Sequence, residues 1–240
     1  MDLLQNPFYI LGATLRDNKR KIFELAEERS LYSDSVLIAK AQADLTNPRK
    51  RLNAELAWLP GVAPRLASEL LNKLTGHIEI EENQLNSLSS LAKVNFFVSR
   101  LNQRQFADSS DWTLLGFEIL AIAETFESID IQELSDSLNA DRIAAGLPEI
   151  NDEILIEEEL RERRRYIRQV IKETLNNVPS KEILEIMKLT VEESTDCGNK
   201  HGFIIIDDLV DGYEIEVQEF LQTEGNNIEA IIKGMADAKS

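Results

Sequence analysis

The sequence predicts an all-α protein, and three observations carry that expectation. Only 10 glycines and 6 prolines occur in 240 residues, too few for the frequent turns of an all-β chain. Apolar residues recur at 3.6-residue spacing in nearly every segment. Most of those segments open on Asp, Asn, Ser or Pro and close on Gly, Asn or Pro, the punctuation of helices. With 43% apolar residues the chain has enough material for a sizeable core.

The elements follow in order. Asn6-Pro7-Phe8 is a rigid start, because proline fixes its own φ. Phe8, Ile10 and Leu11 form an apolar knot before Gly12, which suits a turn. Asp17 is the expected N-cap of a helix from Asn18, with Ile22, Leu25, Ala26 and Arg29 in one stripe. Tyr32-Ser33-Asp34-Ser35 breaks it. A second helix is expected over Val36–Leu45, with Leu37, Ala41 and Leu45 in line. Asn47-Pro48 caps a third helix to Trp58 that buries Leu52, Leu56 and Leu59. Arg51 and Glu55 stand four apart on it and support it slightly.

Pro60-Gly61 stops that run, and Pro64 starts a short helix to about Leu74. Thr75-Gly76-His77 is a turn. One long helix is expected over Glu79–Phe106, with two apolar stripes and neighbours on two sides. Asp108 to Asp111 is a polar break. Trp112, Leu115, Ile119, Ile122 and Phe126 stripe the next helix. Asp130 caps another through Ala145, ended by Gly146-Leu147-Pro148. Asn151 is the expected cap of a long charged helix that buries Ile156, Leu160, Ile167, Val170, Ile171 and Leu175. Ser180 caps the next, with Ile183, Ile186, Met187 and Val191 inward. Thr195–Gly202 is a loop. Phe203–Leu221 reads as helix, although Phe203-Ile204-Ile205-Ile206 is β-branched enough to suit a short strand. Asn227 caps a last helix with Ile228, Ile231, Ile232 and Met235. Three regions are expected: 1–60, 61–147 and 148–240. The last two form an irregular helical bundle or a short solenoid-like stack, with no fixed repeat period.

The opening segment resembles the J-domain of Hsp40 co-chaperones over residues 5–60. Tyr9-Ile10-Leu11-Gly12 is similar to that family's start. Asp17 to Ile22 is similar to the entry of its second helix. Ala39, Ala43, Leu45, Asn47, Pro48, Lys50 and Arg51 resemble its later stretch. The His-Pro-Asp tripeptide with which the family acts on the Hsp70 ATPase is missing, and that place reads Ser33-Asp34-Ser35-Val36. The basic second helix is also diluted by Glu24, Glu27 and Glu28. The resemblance therefore implies the J-like fold without its functional residues. Contact with Hsp70 stays open, but stimulation of its ATPase is not expected.

Composition narrows the function classes. A net charge of −17 and a pI near 4.6 oppose general affinity for nucleic acid or anionic membrane. One cysteine fits a reducing cytosol, and no signal peptide or apolar run long enough to span a bilayer is seen. No nucleophile–base pair, Walker motif or dinucleotide fingerprint stands out, so no catalytic residue and no cofactor is assigned. Cys197 and His201 have ligand-like spacing, but a zinc site needs more ligands than the chain offers nearby, and no metal is assigned. Asp207, Asp208, Asp211 and Glu214 read as a solvated face.

The expected activity is protein–protein interaction within a larger assembly, as a chaperone-like scaffold. Tyr32, beside the degenerate loop, is an exposed aromatic suited to contact. Arg49, Lys50 and Arg51 form a small basic patch that either touches a partner or keeps its helix soluble. Arg161, Arg163, Arg164, Arg165 and Arg168 form the one concentrated positive run. They pair with Glu157, Glu158, Glu159 and Glu162 or dock an acidic partner, in preference to nucleic acid. Trp58 and Trp112 lie on apolar stripes and read as core anchors.

Overall fold

The computed structural model describes residues 1–78, 80–104 and 111–214. Within them every regular element is helical and no strand occurs. A 3₁₀ turn at Leu3–Gln5 is followed by α1 (Pro7–Leu11), α2 (Lys19–Ser30), α3 (Ser35–Thr46) and α4 (Pro48–Leu56). Next come α5 (Pro64–Thr75), α6 (Glu82–Asn86), α7 (Ser90–Asn102) and α8 (Trp112–Glu127). The chain continues through α9 (Ile131–Ala144), α10 (Glu153–Leu175), α11 (Ser180–Ser194) and α12 (204–214).

The start is fixed by one buried amide. Asn6 caps α1 through Oδ1, which accepts from the Phe8 amide at 3.0 Å. Its Nδ2 donates to the Ala54 carbonyl at 2.9 Å and ties α1 to α4. Gly12 ends α1 at φ +67°, where a side chain would be strained and its Cβ would meet Arg29. Asp17 does not cap α2. Its Oδ2 accepts from the Thr14 amide and hydroxyl at 2.7 and 3.0 Å, and Asn18 takes the cap by accepting from the Lys21 amide. On α3 the buried stripe is Ile38, Ala41 and Leu45, while Leu37 faces outward. Of the expected line Leu37, Ala41 and Leu45, the last two are buried, and Ile38 takes the place of Leu37. Arg29, likewise expected in the buried stripe of α2, is exposed.

The expected helix over 79–106 is two helices, separated at Ser87–Ser89. Ser89 Oγ accepts from the Ala92 amide at 3.4 Å and donates to the Pro60 carbonyl at 2.9 Å, so the hydroxyl starts a new helix and pins it to the α4–α5 connection. Residues 79 and 105–110, which include the ends of that expected helix and most of the break after it, lie outside the described residues. So do residues 215–240, with the tail of the Phe203 helix and the expected last helix.

Three apolar clusters share walls. Phe8, Leu11, Ile22, Ile38, Trp58 and Leu70 pack in the first, with Phe8 and Trp58 ring centroids 5.8 Å apart. Leu115, Ile119, Ile167, Ile171, Ile186 and Ile205 pack in the second. Leu52, Leu56, Leu91, Leu138, Ile156 and Leu160 form the third, where α4, α7, α9 and α10 meet. Helix α7 serves all three, through Phe96, Val94 and Leu91 respectively. That accounts for its buried residues on more than one face, as its two apolar stripes imply.

The stripe expected on α10 is buried throughout, and that on α8 is buried at Leu115, Ile119 and Ile122 and half-buried at its ends, Trp112 and Phe126. Asp152, not Asn151, caps α10, accepting from the Ile154 amide at 3.0 Å. Ser180 is the first residue of α11, and no side chain caps that helix. Ile204, Ile205 and Ile206 begin α12 rather than a strand. Their period continues to Leu209, with Ile205, Ile206 and Leu209 buried.

Candidate interaction surfaces

The connection between α2 and α3 is short and hydrogen-bonded. The Leu31 and Tyr32 amides donate back to the Glu28 and Arg29 carbonyls, and Asp34 caps α3 by accepting from the Val36 amide at 2.9 Å. Those bonds hold the two ends of the connection, and its apolar side chains lie outside. Leu31 is 72% exposed, Tyr32 85%, Val36 76% and Leu37 45%. Phe23, two turns back on α2, is also exposed. Single exposed leucines are ordinary, whereas large apolar side chains gathered on one turn make a candidate interaction surface. The sequence points to Tyr32 here but not to Leu31 or Val36, and its spacing places Leu37 inward.

The basic patch on α4 divides. Arg49 is exposed, and Lys50 reaches Asp44 at 2.7 Å. Arg51 is buried. Its Nε donates to Glu55 Oε1 at 2.8 Å, and its Nη2 donates to the Leu15 and Asp17 carbonyls at 3.1 Å each. Glu55 is buried too, and its Oε2 accepts from Arg142 Nη1 at 2.6 Å. The pair expected as slight surface support is therefore the centre of a buried Arg–Glu–Arg triad joining α4 to α9. Beside it, Arg16 Nε meets Asp141 Oδ1 at 2.8 Å.

The arginine run on α10 also divides. Arg163 is buried; its Nε donates to Asn95 Oδ1 at 2.7 Å and its Nη1 to the Met1 carbonyl. Asn95 in turn donates to the Leu56 and Trp58 carbonyls. Burial, above all, lowers the Arg163 guanidinium to about 10, so it is still charged at neutral pH. The Tyr166 ring lies 4.7 Å from it, and burial chiefly raises that phenol to about 12. Arg164 and Arg168 turn to Asp208 of α12 at 3.3 and 3.9 Å, so Asp208 is not part of a merely solvated face. Arg165 pairs with Glu162, as the spacing suggested, and Arg161 Nε donates to the Glu157 carbonyl at 3.4 Å. Arg161 and Arg164 also border a shallow cleft of about 310 Å³ with Phe126 and Ile204.

Cys197 and His201 are both exposed, and among the described residues no group of three or more His, Cys, Asp or Glu is arranged to hold a metal. No described helix is long and apolar enough to cross a membrane.

One surface was missed altogether. A cleft of about 540 Å³ opens where the start of α4, the α9–α10 connection and the first turns of α10 come together. Leu52, Ile150 and Leu155 line it, and Arg49 stands at its edge. No stripe count on one helix can reveal a cleft built from three distant segments. No known protein family matches the chain, nor does any curated protein or solved structure.

Proposed function

We propose that this chain is a non-catalytic, cytoplasmic helical adaptor that binds a protein partner through the exposed α2–α3 turn. Its first 60 residues act as a J-like head that does not stimulate Hsp70, mounted on an irregular helical bundle. The observation that carries this reading is the cluster of Leu31, Tyr32, Val36 and Leu37 in solvent at one turn. Burying such side chains on a partner is favourable by roughly 1.5–3 kcal/mol each when fully covered, and an aromatic among them is a natural hot spot. The order of a short α1, the α2–α3 hairpin and a proline-led α4 supports the J-like part of the reading.

The test is a photo-crosslinking residue placed at position 32, irradiated in cells of the source organism. A discrete adduct that is lost in Val36→Asp supports the reading. An adduct pattern identical to that from Leu184 on α11, which is 70% exposed, overturns it. The α1–α4 order also favours a second reading, a co-chaperone that engages Hsp70 without the tripeptide. Steady-state Hsp70 ATPase measurements separate the two. The adaptor leaves the rate within about twofold of basal, whereas the co-chaperone raises it about tenfold or more.

A further inference from the structure

We propose that the cleft between α4 and the start of α10 binds a basic, leucine-anchored helical segment of a partner protein. This inference rests on the adaptor reading and names a partner chemistry for a second face of the same molecule.

Its walls are held from behind. Asn139 clasps Ile150, Oδ1 accepting from its amide at 2.8 Å and Nδ2 donating to its carbonyl at 3.1 Å. Arg142 Nε donates to the Pro148 carbonyl at 2.9 Å. Gly146, at φ +69°, turns the chain out of α9 toward them. A connection fixed in this way presents a preformed surface, which lowers the ordering cost of binding.

The floor is apolar: Leu52 and Ile150 are nearly buried at its base, and Leu155 on α10, 43% exposed, is the apolar side chain most open to an occupant. Three apolar positions in a groove between helices suit the i, i+3/i+4, i+7 anchors of an amphipathic helix. The rim sets the charge of the occupant. Glu149, Asp152, Glu158 and Glu159 line the cleft with Arg49. Asp152 Oδ1 accepts from the Ile154 amide and Glu159 Oε2 from Asn53 Nδ2 at 2.7 Å, so the charge an occupant meets comes chiefly from Glu149 and Glu158. Arg142 also borders the cleft, but its guanidinium is turned to Glu55 and the Pro148 carbonyl. A phosphate backbone would be repelled here, and so would an acidic helix. The chain's own residues 215–240 carry Glu216, Glu219, Glu224, Glu229 and Asp237 against Lys233 and Lys239, the wrong sign for this rim. A lysine- or arginine-rich helix with leucine anchors satisfies both floor and rim.

The experiment titrates the full chain into a fluorescein-labelled peptide of about four helical turns, made only of leucine and lysine in amphipathic order. Fluorescence anisotropy reads binding. A peptide with glutamate in place of lysine is the matched control. Glu149→Lys/Glu158→Lys should weaken the lysine peptide at least about tenfold, and Glu185→Lys/Glu193→Lys, an equal charge change on α11, less than about twofold. Leu155→Gln, with an unchanged helical circular dichroism spectrum, should also weaken it. Equal losses from both charge reversals would reduce the effect to general attraction for an acidic protein and overturn the inference. So would comparable binding of the glutamate peptide, or a fall in the sedimenting mass of the free protein on Leu155→Gln, which would make the cleft a self-interface. Tyr32→Ala should leave peptide binding intact, so a failure here and a failure of the α2–α3 surface are separable.

Discussion

Glu55 decides more than any other single side chain, because two buried arginines depend on it. Removing one member of a buried ion network leaves charge without compensation and typically costs about 3–5 kcal/mol, whereas replacing the whole group by apolar side chains is often neutral. Glu55→Ala should therefore lower the urea midpoint severely, while Arg51→Met/Glu55→Leu/Arg142→Met should recover only part of the loss, because the Leu15, Asp17 and Pro148 carbonyls then lose their arginine donors. Equal damage from both would mean that the arginines matter for the carbonyls they satisfy and for packing rather than for charge balance with Glu55. Tyr166 gives a pH signature. Its folded pKa of about 12 lies above the ordinary 10, so the unfolded chain ionises first. Stability from this group is full below pH 10 and is lost as pH rises through that window. Arg163, lowered to about 10, has the opposite sign: its folded form sheds the proton first, and stability returns as pH climbs. Tyr166→Phe removes only the loss, so its melting temperature should fall less than that of the parent above pH 10. Parallel curves for the two proteins would exclude this assignment. These buried charges had a readable sign in the sequence. Arg163 falls in phase with Ile156, Leu160 and Ile167, and Asp141 with Leu134 and Leu138, so both stand where a leucine is expected. What periodicity lacks is the identity of the partner, which comes from a distant helix.

At the scale of elements, caps and stripes fixed most helices, and the errors have local causes. Asp17 and Asn18 are both good caps, and the Thr14 amide and hydroxyl decide between them by engaging Asp17. Asn151 and Asp152 pose the same choice one residue apart. The break at Ser87–Ser89 is the instructive miss. A Ser-Leu-Ser-Ser run is tolerable inside a helix, and it stops this one because Ser89 Oγ has the Pro60 carbonyl within reach. Ser89→Ala removes the cap and the tether together, and it should destabilise the protein by about 1–2 kcal/mol. Chemical denaturation measures it, with Ser87→Ala, whose hydroxyl only returns to its own helix at Gln84, as the milder control. A loss no larger at 89 than at 87 would show that the tether contributes nothing.

Across the whole molecule, two kinds of electrostatics operate at different ranges. The triad, the Asn95–Arg163 contact and the Asp2–Ser99 bond lie inside, beyond the reach of mobile ions. The whole chain carries a net charge of −17, and charges of one sign repel over about a Debye length, ~30 Å at 0.01 M salt and ~8 Å at 0.15 M. The exposed pairs Arg20–Glu24 and Arg65–Glu69 oppose that repulsion weakly, since exposed helix pairs contribute about 0.3–0.5 kcal/mol each. Repulsion therefore outweighs surface pairing. Adding sodium chloride from about 0.01 to 0.15 M should raise the melting temperature, with most of the gain at the low end where screening changes fastest. Calorimetry at fixed pH reads it directly. The same salt should weaken the lysine peptide at the α4–α10 cleft, because there the attraction is between opposite charges on two molecules. Stability and cleft affinity must move in opposite directions along one salt titration, and a melting temperature that falls with salt would show that surface pairs, not net charge, govern the fold.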